Sequence, residues 1–293
     1  MNVALLGTGL LGQGVAERLH ATGHTLTVYN RSLEKTHGLR QQGIRIAPTA
    51  AEAMSAADVV LLLLSDAKAI RAALFDPATS CAIDGRTIIQ MGTIGPAESC
   101  SIENEVVRLG GRYLEAPVLG SIAEAKAGTL LIMVGATREH YDTWAPLLRH
   151  LGEEVRLTGP VGKAAVMKLA LNQLIASEMA AFAFSLGLVR RGGVEVEDFM
   201  GVVRKSALYA PMFEKKLPRL ETRHYAQPNF STRHLLKDVE LALSAAGTAR
   251  LSTDGLEGVR SLLIETIAAG LGEVDYSAIY ERIDPPASEQ SEP

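Results

Sequence analysis

The sequence predicts an α/β protein in which a doubly wound, mostly parallel sheet is followed by a long connecting helix and an all-α domain. Over the first half of the chain, short apolar runs alternate with helical patterns, which is typical of βαβ units. The stretch from Gly159 to Arg191 has no proline after Pro160 and is rich in Ala, Leu and Met, which favour a helix. After Gly192 and Gly193 no clear strand pattern appears.

Bulk composition limits the class of protein. The chain has 293 residues, enough for two domains, and its 47% apolar and 21% charged content are ordinary for a globular protein. A net charge of −4 argues against a nucleic-acid partner, because no basic excess is present to meet phosphates. Cys81 and Cys100 lack metal-ligand spacing and favour a reducing compartment. The N-terminus lacks a signal-peptide pattern, so we expect a cytoplasmic protein without a metal site.

The first strand pattern, Val3 to Leu6, runs directly into a glycine-rich turn, and a helical pattern follows at once. Gly7 would allow the tight turn, Gly9 would let the backbone approach a pyrophosphate, and Gly12 would let the helix pack closely on the strand. The helix N-terminus then offers N–H groups to the phosphates. We therefore predict a Rossmann-like dinucleotide-binding domain whose cofactor contacts include Gly7, Thr8, Gly9, Leu10, Leu11 and Gly12.

The second strand pattern, Leu26 to Tyr29, ends in Asn30, Arg31 and Ser32. A site that prefers NAD usually carries Asp or Glu at this point to hold the ribose hydroxyls. This chain has no acid there and offers a cation and hydrogen-bond donors instead, which suit a 2′-phosphate. The pattern predicts NADP as the cofactor, although an exposed arginine in a loop would look the same.

Further strands are predicted at Val59–Leu64, Thr87–Met91, Arg112–Leu114 and Leu130–Gly135. In doubly wound sheets, ligands bind beyond the carboxyl ends of the strands. The loops at Leu64 and Ser65, at Thr93 and at Gly120 should therefore gather around the cofactor and substrate. We place the nucleotide-binding domain at residues 1–160.

The remaining chain is predicted to be helical. The connecting helix covers residues 161–191, the all-α substrate and oligomerisation domain covers 192–284, and the polar, Pro-rich tail of 285–293 is expected to be disordered. The predicted helices of the all-α domain are Glu195–Val203, Pro211–Leu220, Thr232–Ala246, Thr253–Ala269 and Tyr276–Arg282. The connecting helix is apolar on nearly all sides and should be buried. Its polar residues argue against a membrane span.

Lys168 and Asn172 are unusual residues for a buried helix. They are four apart, so their side chains lie on one face. A buried ammonium without a partner costs several kcal/mol, which leaves two alternatives. Either Lys168 extends to the surface and Asn172 bonds a neighbouring backbone, or the pair is catalytic.

Several separate segments carry a family resemblance. GTGLLG, EAPVLGS, GPVGKAAVMKLALNQ, FSTRHLLKDVELAL and GEVDYSAIYE together resemble the β-hydroxyacid dehydrogenases, over the whole chain except the tail. Within that family the pattern is similar to the NADPH-using glyoxylate and succinic semialdehyde reductases. The resemblance implies a homodimer or homotetramer acting on a small-molecule substrate.

The resemblance also implies roles for individual residues. Lys168 would be the general acid/base, and Asn172 would position the substrate and the lysine. Lys237 would lie close to the nicotinamide, and Asp238 would help to hold the site together. Thr93 would contact both cofactor and substrate, and Phe230 would join the substrate-binding residues.

The loop Pro117-Val118-Leu119-Gly120-Ser121 departs from the family pattern. The family usually has a serine at the position of Leu119, and its hydroxyl binds the substrate carboxylate. Leu119 has no donor, although the backbone N–H groups of Gly120 and Ser121 would still suit a carboxylate. This departure affects the prediction of the substrate more than the prediction of the reaction type.

Three functional classes follow. In a carbonyl reductase, hydride attacks a carbonyl carbon while Lys168 stabilises and protonates the oxygen. An imine reductase of the same fold usually has Asp or Tyr in place of the lysine, so Lys168 argues against it, whereas Leu119 leaves it open. A non-catalytic nucleotide-binding module is disfavoured by the presence of both Lys168 and Asn172.

Overall fold

The computed structural model describes residues 1–55 and 57–286. Most of the tail predicted to be disordered, residues 287–293, lies outside the described residues. The chain divides into two compact units, Met1–Leu169 and Ala170–Pro293. The division falls inside the long helix, whereas the sequence scheme treats that helix as a separate segment of 161–191.

The described residues of the first unit contain one nine-stranded sheet. Its strands are β1 (Asn2–Leu6), β2 (Thr25–Tyr29), β3 (Arg45–Ile46), β4 (Val59–Leu62), β5 (Thr87–Gln90), β6 (Arg112–Glu115), β7 (Val118–Leu119), β8 (Leu130–Gly135) and β9 (Gly152–Gly159). The order is β3-β2-β1-β4-β5-β6-β8-β7, with β9 paired to β8. The pairs of β8 with β6 and with β7 are antiparallel and the others are parallel. The predicted doubly wound, mostly parallel sheet is therefore confirmed.

Helices cover both faces of this sheet. They are α1 (Leu10–Ala21), α2 (His37–Gln41), α3 (Ala50–Ser55), α4 (Ala67–Leu74), α5 (Pro77–Ser80), α6 (Pro96–Arg108), α7 (Ile122–Ala127) and α8 (Arg138–Leu148), with a 3₁₀ turn at Leu33–Thr36. In β1, Val3 and Leu5 belong to one buried cluster and Ala4 and Leu6 to another. Both faces of the strand are covered, which is why its sequence is continuously apolar.

The second unit is helical, as predicted. The long helix α9 (Lys163–Arg191) starts in the first unit and continues into the second. The other helices are α10 (Val196–Val203), α11 (Pro211–Thr222), α12 (Thr232–Thr248), α13 (Asp254–Thr266) and α14 (Tyr280–Ile283), with a π turn at Ile267–Leu271 and a 3₁₀ turn at Tyr276–Ile279. Phe182 of α9 stacks on Phe213 of α11 with ring centroids 4.4 Å apart. This contact lies in the apolar core of the unit.

Three strands escaped the sequence patterns. β3 and β7 have two residues each, too short to show a period. β9 is longer but reads Gly-Glu-Glu-Val-Arg-Leu-Thr-Gly, and its charged residues are exposed. β9 lies at an edge of the sheet, where charged side chains protect against unwanted pairing and weaken the apolar signal.

Helix α9 is less buried than its sequence predicts. Leu174, Phe184 and Leu188 are 47%, 62% and 65% exposed, so the expectation that the helix is buried on nearly all sides is wrong for the single chain. By length and composition alone, α9 passes the test for a membrane-spanning helix, and 39% of its most apolar window is buried inside the protein. Core helices of soluble proteins pass the same test, so this is weak support for a span. The exposed residues instead leave an uncovered apolar strip along the helix.

Candidate active site

The glycine-rich loop between β1 and α1 has the geometry of a phosphate cradle. Gly7 has φ +105°, and a Cβ there would lie 2.3 Å from the carbonyl oxygen of Leu63, so only glycine fits. A Cβ on Gly12 would lie 2.2 Å from the carbonyl oxygen of Gly7, which explains the close approach of helix and turn. Gly9 is exposed and faces open space, where a ligand can meet the backbone. Leu10 and Leu11 supply the next amides at the start of α1, where intrahelical bonds are still missing.

Asn30 ties this loop to the end of β2. Its Oδ1 accepts a hydrogen bond from the Thr8 N–H at 2.9 Å, and its Nδ2 donates to the Ser32 carbonyl oxygen at 2.9 Å. Both ends of the Asn30 side-chain amide are therefore hydrogen-bonded within the protein. Arg31 is exposed on the same loop. Thr8 is fully buried, and its Oγ1 has no hydrogen-bond partner within the described part of the chain.

Leu64 and Ser65 lie beyond the carboxyl end of β4, next to this cradle. A Cβ on Gly7 would lie 3.1 Å from Cδ2 of Leu64, so the leucine packs against the glycine turn. Ser65 is exposed, and its Oγ donates to Asp66 Oδ2 at 2.8 Å. Asp66 in turn caps α4 by accepting from the Ala69 N–H at 2.7 Å. The predicted cofactor residues of β1, β2 and β4 thus lie along one edge of the sheet.

A small cleft opens beyond the carboxyl ends of β5 and β6. It is lined by Gln90, Gly92, Thr93, Ile94, Glu115, Pro117, Ala165 and Lys168. Lys168, on the second turn of α9, is only 8% exposed. The fold therefore brings the predicted Thr93 and Lys168 together. It also brings in Glu115, a fully buried carboxylate at the end of β6, whose role is not predictable from its place in the EAPVLGS motif.

The loop after β7 differs from the expected carboxylate site. The Ser121 N–H donates to Glu124 Oε2 at 2.8 Å, and the Ser121 hydroxyl bonds the same oxygen. This is a capping box at the start of α7, and it occupies the Ser121 N–H that the sequence offered to a substrate carboxylate. Leu119 is half-buried and pairs with Leu131 across the strands, and Gly120 is exposed with φ +138°. The spacing Ser-x-x-Glu in the sequence is the signature of a capping box and could have predicted the contact between Ser121 and Glu124.

In the second unit, Asn172 and Asp238 form a buried pair. Asn172 Nδ2 donates to Asp238 Oδ2 at 2.5 Å, and both side chains are 2% exposed. Lys237 Nζ lies 2.9 Å from Asp238 Oδ1 and forms an ion pair with it. Asn172 Oδ1 is buried and has no hydrogen-bond partner among the residues the structure describes. The donor group of Asn172 is thus fixed by Asp238, whereas its acceptor oxygen makes no hydrogen bond to another described residue.

Phe230 lies just before α12. Its ring is half-buried and meets Tyr276 edge-on, with centroids 5.9 Å apart. It also stacks on His234 at 6.5 Å. Phe230, Lys237 and Asp238, which are predicted to contact the substrate or the cofactor, therefore lie on or directly before one helix.

Two family profiles cover the chain. Residues 2–159 match the NAD binding domain of 6-phosphogluconate dehydrogenase, and residues 162–283 match the family described as NAD-binding of NADP-dependent 3-hydroxyisobutyrate dehydrogenase. The chain belongs to the β-hydroxyacid dehydrogenase family. The resemblance drawn from the sequence motifs is confirmed, and the protein is an NAD(P)-dependent, β-hydroxyacid dehydrogenase-like oxidoreductase.

Curated relatives of this chain include an enzyme and a nuclear factor. The chain is 29% identical over 285 residues to glyoxylate/succinic semialdehyde reductase 1 of Arabidopsis thaliana, covering 97% of this chain and 98% of the relative. It is 28% identical over 280 residues to the cytokine-like nuclear factor N-PAC of Homo sapiens. That alignment covers 95% of this chain and only 50% of N-PAC.

Solved structures of the same fold include a 3-hydroxyisobutyrate dehydrogenase from Salmonella typhimurium, with TM-score 0.87, 23% identity and coverage of 96% of this chain and 99% of that one. An imine reductase from Myxococcus stipitatus in complex with NADP⁺ has TM-score 0.67, 19% identity and coverage of 97% and 99%. At these identities the likenesses show the fold alone.

The glycine-rich loop of this chain fits a dinucleotide. Gly7 and Gly12 admit no side chain, and Gly9 leaves the loop open on its outer side. The loop also carries the buried Thr8 hydroxyl, which makes no hydrogen bond to any residue in the described part of the chain. When bound, the cofactor would supply or accept the hydride, and residues 7–12 would hold its pyrophosphate.

Proposed function

We propose that the protein uses NADPH to reduce the carbonyl group of a small aldehyde or oxo acid, with Lys168 as the general acid. The observation that carries this proposal is the position of Lys168. It is a buried cation on the wall of a cleft at the carboxyl ends of the strands in the nucleotide-binding unit. A cation held beside the reacting carbonyl group would stabilise the negative charge that develops on its oxygen.

In the proposed carbonyl reduction, the Lys168 ammonium is the main catalytic group that the protein supplies. As hydride reaches the carbonyl carbon, charge builds on the oxygen, and the Lys168 ammonium stabilises that charge and transfers its proton. Thr93, on the same cleft wall, offers a hydroxyl to the substrate. In the reverse direction, neutral Lys168 accepts the alcohol proton.

Asn172 supports this role from one turn further along α9. Its bond to Asp238 fixes the amide orientation, so that Oδ1 can accept from an ammonium or a substrate hydroxyl. Lys237 forms an ion pair with Asp238 and so helps to hold the carboxylate that orients the Asn172 amide. We infer that Asn172 orients the reacting groups rather than transferring protons itself.

The proposed preference for NADPH rests on Arg31. The loop after β2 carries this exposed guanidinium and no acidic side chain among Asn30, Arg31 and Ser32. A 2′-phosphate on the adenosine ribose would gain a charge-assisted hydrogen bond there, which NADH cannot make.

Imine reduction is the second candidate. Leu119, the last residue of β7, makes this part of the chain more apolar than a carboxylate-binding segment, and an imine reductase shares the fold. A protonated Lys168 near a cationic iminium would be electrostatically unfavourable, which favours carbonyl substrates.

A panel assay tests the proposal. NADPH oxidation would be followed with small aldehydes, small oxo acids and cyclic imines, using the unmodified protein and Lys168→Ala. We expect carbonyl turnover that depends on Lys168. Turnover of imines alone would favour the second candidate, and NADPH binding without turnover of any class would favour a non-catalytic nucleotide-binding module.

A further inference from the structure

Glu115 makes an unusual set of hydrogen bonds with the start of helix α9. Its Oε1 accepts from the backbone N–H groups of Gly162 at 2.7 Å, Ala164 at 2.8 Å and Ala165 at 3.2 Å. Glu115 is 1% exposed and lies at the end of β6, 47 residues before Gly162. The side chain therefore links the central sheet to the first turn of α9.

These bonds complete the hydrogen bonding of the helix start. The first amides of a helix lack intrahelical acceptors and are usually capped by the side chain of the preceding residue. That residue here is Gly162, which has no side chain, and its φ of +96° disfavours any other amino acid. Lys163 N–H bonds the Pro160 carbonyl oxygen and Val166 N–H bonds that of Gly162. Glu115 supplies the acceptor for the amides between them.

Gly135 leaves space for the Glu115 carboxylate, and Ser99 bonds its second oxygen. A Cβ on Gly135, which pairs with Glu115 across the sheet, would lie 2.3 Å from Oε1. Ser99 Oγ donates to Oε2 at 2.6 Å and lies 3.0 Å from the Tyr113 hydroxyl. Burial raises the pKa of the Glu115 carboxyl, and the hydrogen bonds from Ser99 and the three amides act in the opposite direction.

The position of Lys168 depends on this first turn. In an α-helix the N–H of Lys168 bonds the carbonyl oxygen of Ala164, so the two residues move together. Ala164 is itself bonded to Glu115. Glu115, Ala165 and Lys168 all line the same cleft. A shift at the start of α9 would therefore be transmitted to the ammonium within one turn.

We propose that Glu115 is a positioning residue that anchors the start of α9 to the sheet and so fixes the Lys168 ammonium in the cleft. This inference rests on the proposed function, because it assigns Glu115 a role through Lys168. Glu115 holds the helix at the distance set by the length of its side chain. The length of the Glu115 side chain should therefore matter more for the reaction rate than its negative charge. Displacement of a reacting group by about 1 Å can cost 10²-fold in rate.

The test compares Glu115→Asp with Glu115→Gln. Aspartate keeps the charge but is one methylene shorter, so it cannot reach all three amides. Glutamine keeps the length and an acceptor oxygen but loses the charge. We expect kcat to fall by about 10- to 100-fold in Glu115→Asp and by less than tenfold in Glu115→Gln, with the NADPH Kd within about twofold in both. Glu103→Gln, which removes a carboxylate electrostatically coupled to Glu115, is the matched control and should keep its kcat.

Amide hydrogen exchange at residues 162–168 provides a readout that does not depend on activity. Faster exchange in Glu115→Asp together with the loss of kcat per NADPH-binding site would support the inference. Unchanged exchange would overturn the anchor. Faster exchange with kcat per binding site within about threefold of the parent would overturn the positioning role and leave only a structural cap. An unmodified protein that reduces no carbonyl compound would contradict the proposed function, and the exchange result would still decide whether Glu115 anchors the helix.

Discussion

The side-chain oxygen of Asn30 accepts a hydrogen bond from the backbone N–H of Thr8 at 2.9 Å, so the loop after β2 is tied to the glycine-rich loop. The Asn30 amide also donates to Ser32. The sequence pattern assigned Asn30 and Arg31 together to the 2′-phosphate of the cofactor, whereas these contacts give Asn30 a role in shaping the loop. Asn30 shapes the backbone that would receive the pyrophosphate, whereas Arg31 is exposed and would make the proposed contact with the ribose phosphate.

The cofactor prediction follows from this separation. Arg31→Ala should weaken NADPH binding by on the order of 1.5–3 kcal/mol and leave NADH binding nearly unchanged, because only NADPH carries the 2′-phosphate. Asn30→Ala should weaken both cofactors alike, since it loosens the shared loop. Titration of each variant with both cofactors measures the difference, with Arg40→Ala, another exposed arginine, as the control. Equal dissociation constants for NADPH and NADH in the unmodified protein would contradict the proposed preference.

The glycine-rich loop was predictable because its requirements are local. A positive φ at Gly7 and the close approach at Gly12 are encoded within six residues of sequence. The anchoring of α9 by Glu115 was not predictable, because its partners lie 47 to 50 residues away and backbone amides leave no pattern in the sequence. Glu124 falls between these cases. The spacing of the capping box is visible in the sequence. That Glu124 engages both the N–H and the hydroxyl of Ser121 is visible only in the structure.

The second prediction concerns assembly. Leu174, Phe184 and Leu188 are exposed and lie at helical spacing along α9. We expect this strip to be covered in a homodimer or homotetramer, because uncovered apolar strips of this kind commonly mark interfaces. Phe184→Glu combined with Leu188→Glu should shift the mass measured by light scattering towards the monomer. Val202→Glu introduces a charge at another exposed apolar residue, on α10, and should leave the mass unchanged. A monomeric parent protein would show that the prediction is wrong.

The third prediction concerns the loop after β7. Leu119 offers no donor, and the Ser121 N–H is already bonded to the Glu124 carboxylate. Leu119→Ser should raise kcat/KM for succinic semialdehyde relative to its methyl ester, which has the same aldehyde without the charge. Glu124→Gln should add to that change, because it removes a negative charge beside the loop while an acceptor oxygen still caps α7.

Two controls isolate this effect. Leu131→Ser changes the cross-strand partner of Leu119, and Glu52→Gln alters a glutamate in the first turn of α3 whose carboxylate accepts a hydrogen bond from the Thr49 hydroxyl. Neither should change the preference between the two substrates. If the acid-to-ester ratio of kcat/KM is the same in Leu119→Ser and in the parent, this position does not read the substrate carboxylate.

The last prediction concerns Lys168. If this residue is the proton donor, Lys168→Ala should keep NADPH binding and lose about 10²–10⁴-fold in kcat, the usual contribution of general acid catalysis. Lys168→Arg should rescue little, because a guanidinium holds its proton near neutral pH and presents a larger planar group. Lys163→Ala removes an exposed lysine from the same helix and serves as the control. A purely structural lysine predicts a lower Tm with nearly normal turnover in the folded fraction. Tm, NADPH Kd and kcat measured together separate the two outcomes, and a folded Lys168→Ala protein with kcat within about threefold of the parent would refute the catalytic assignment.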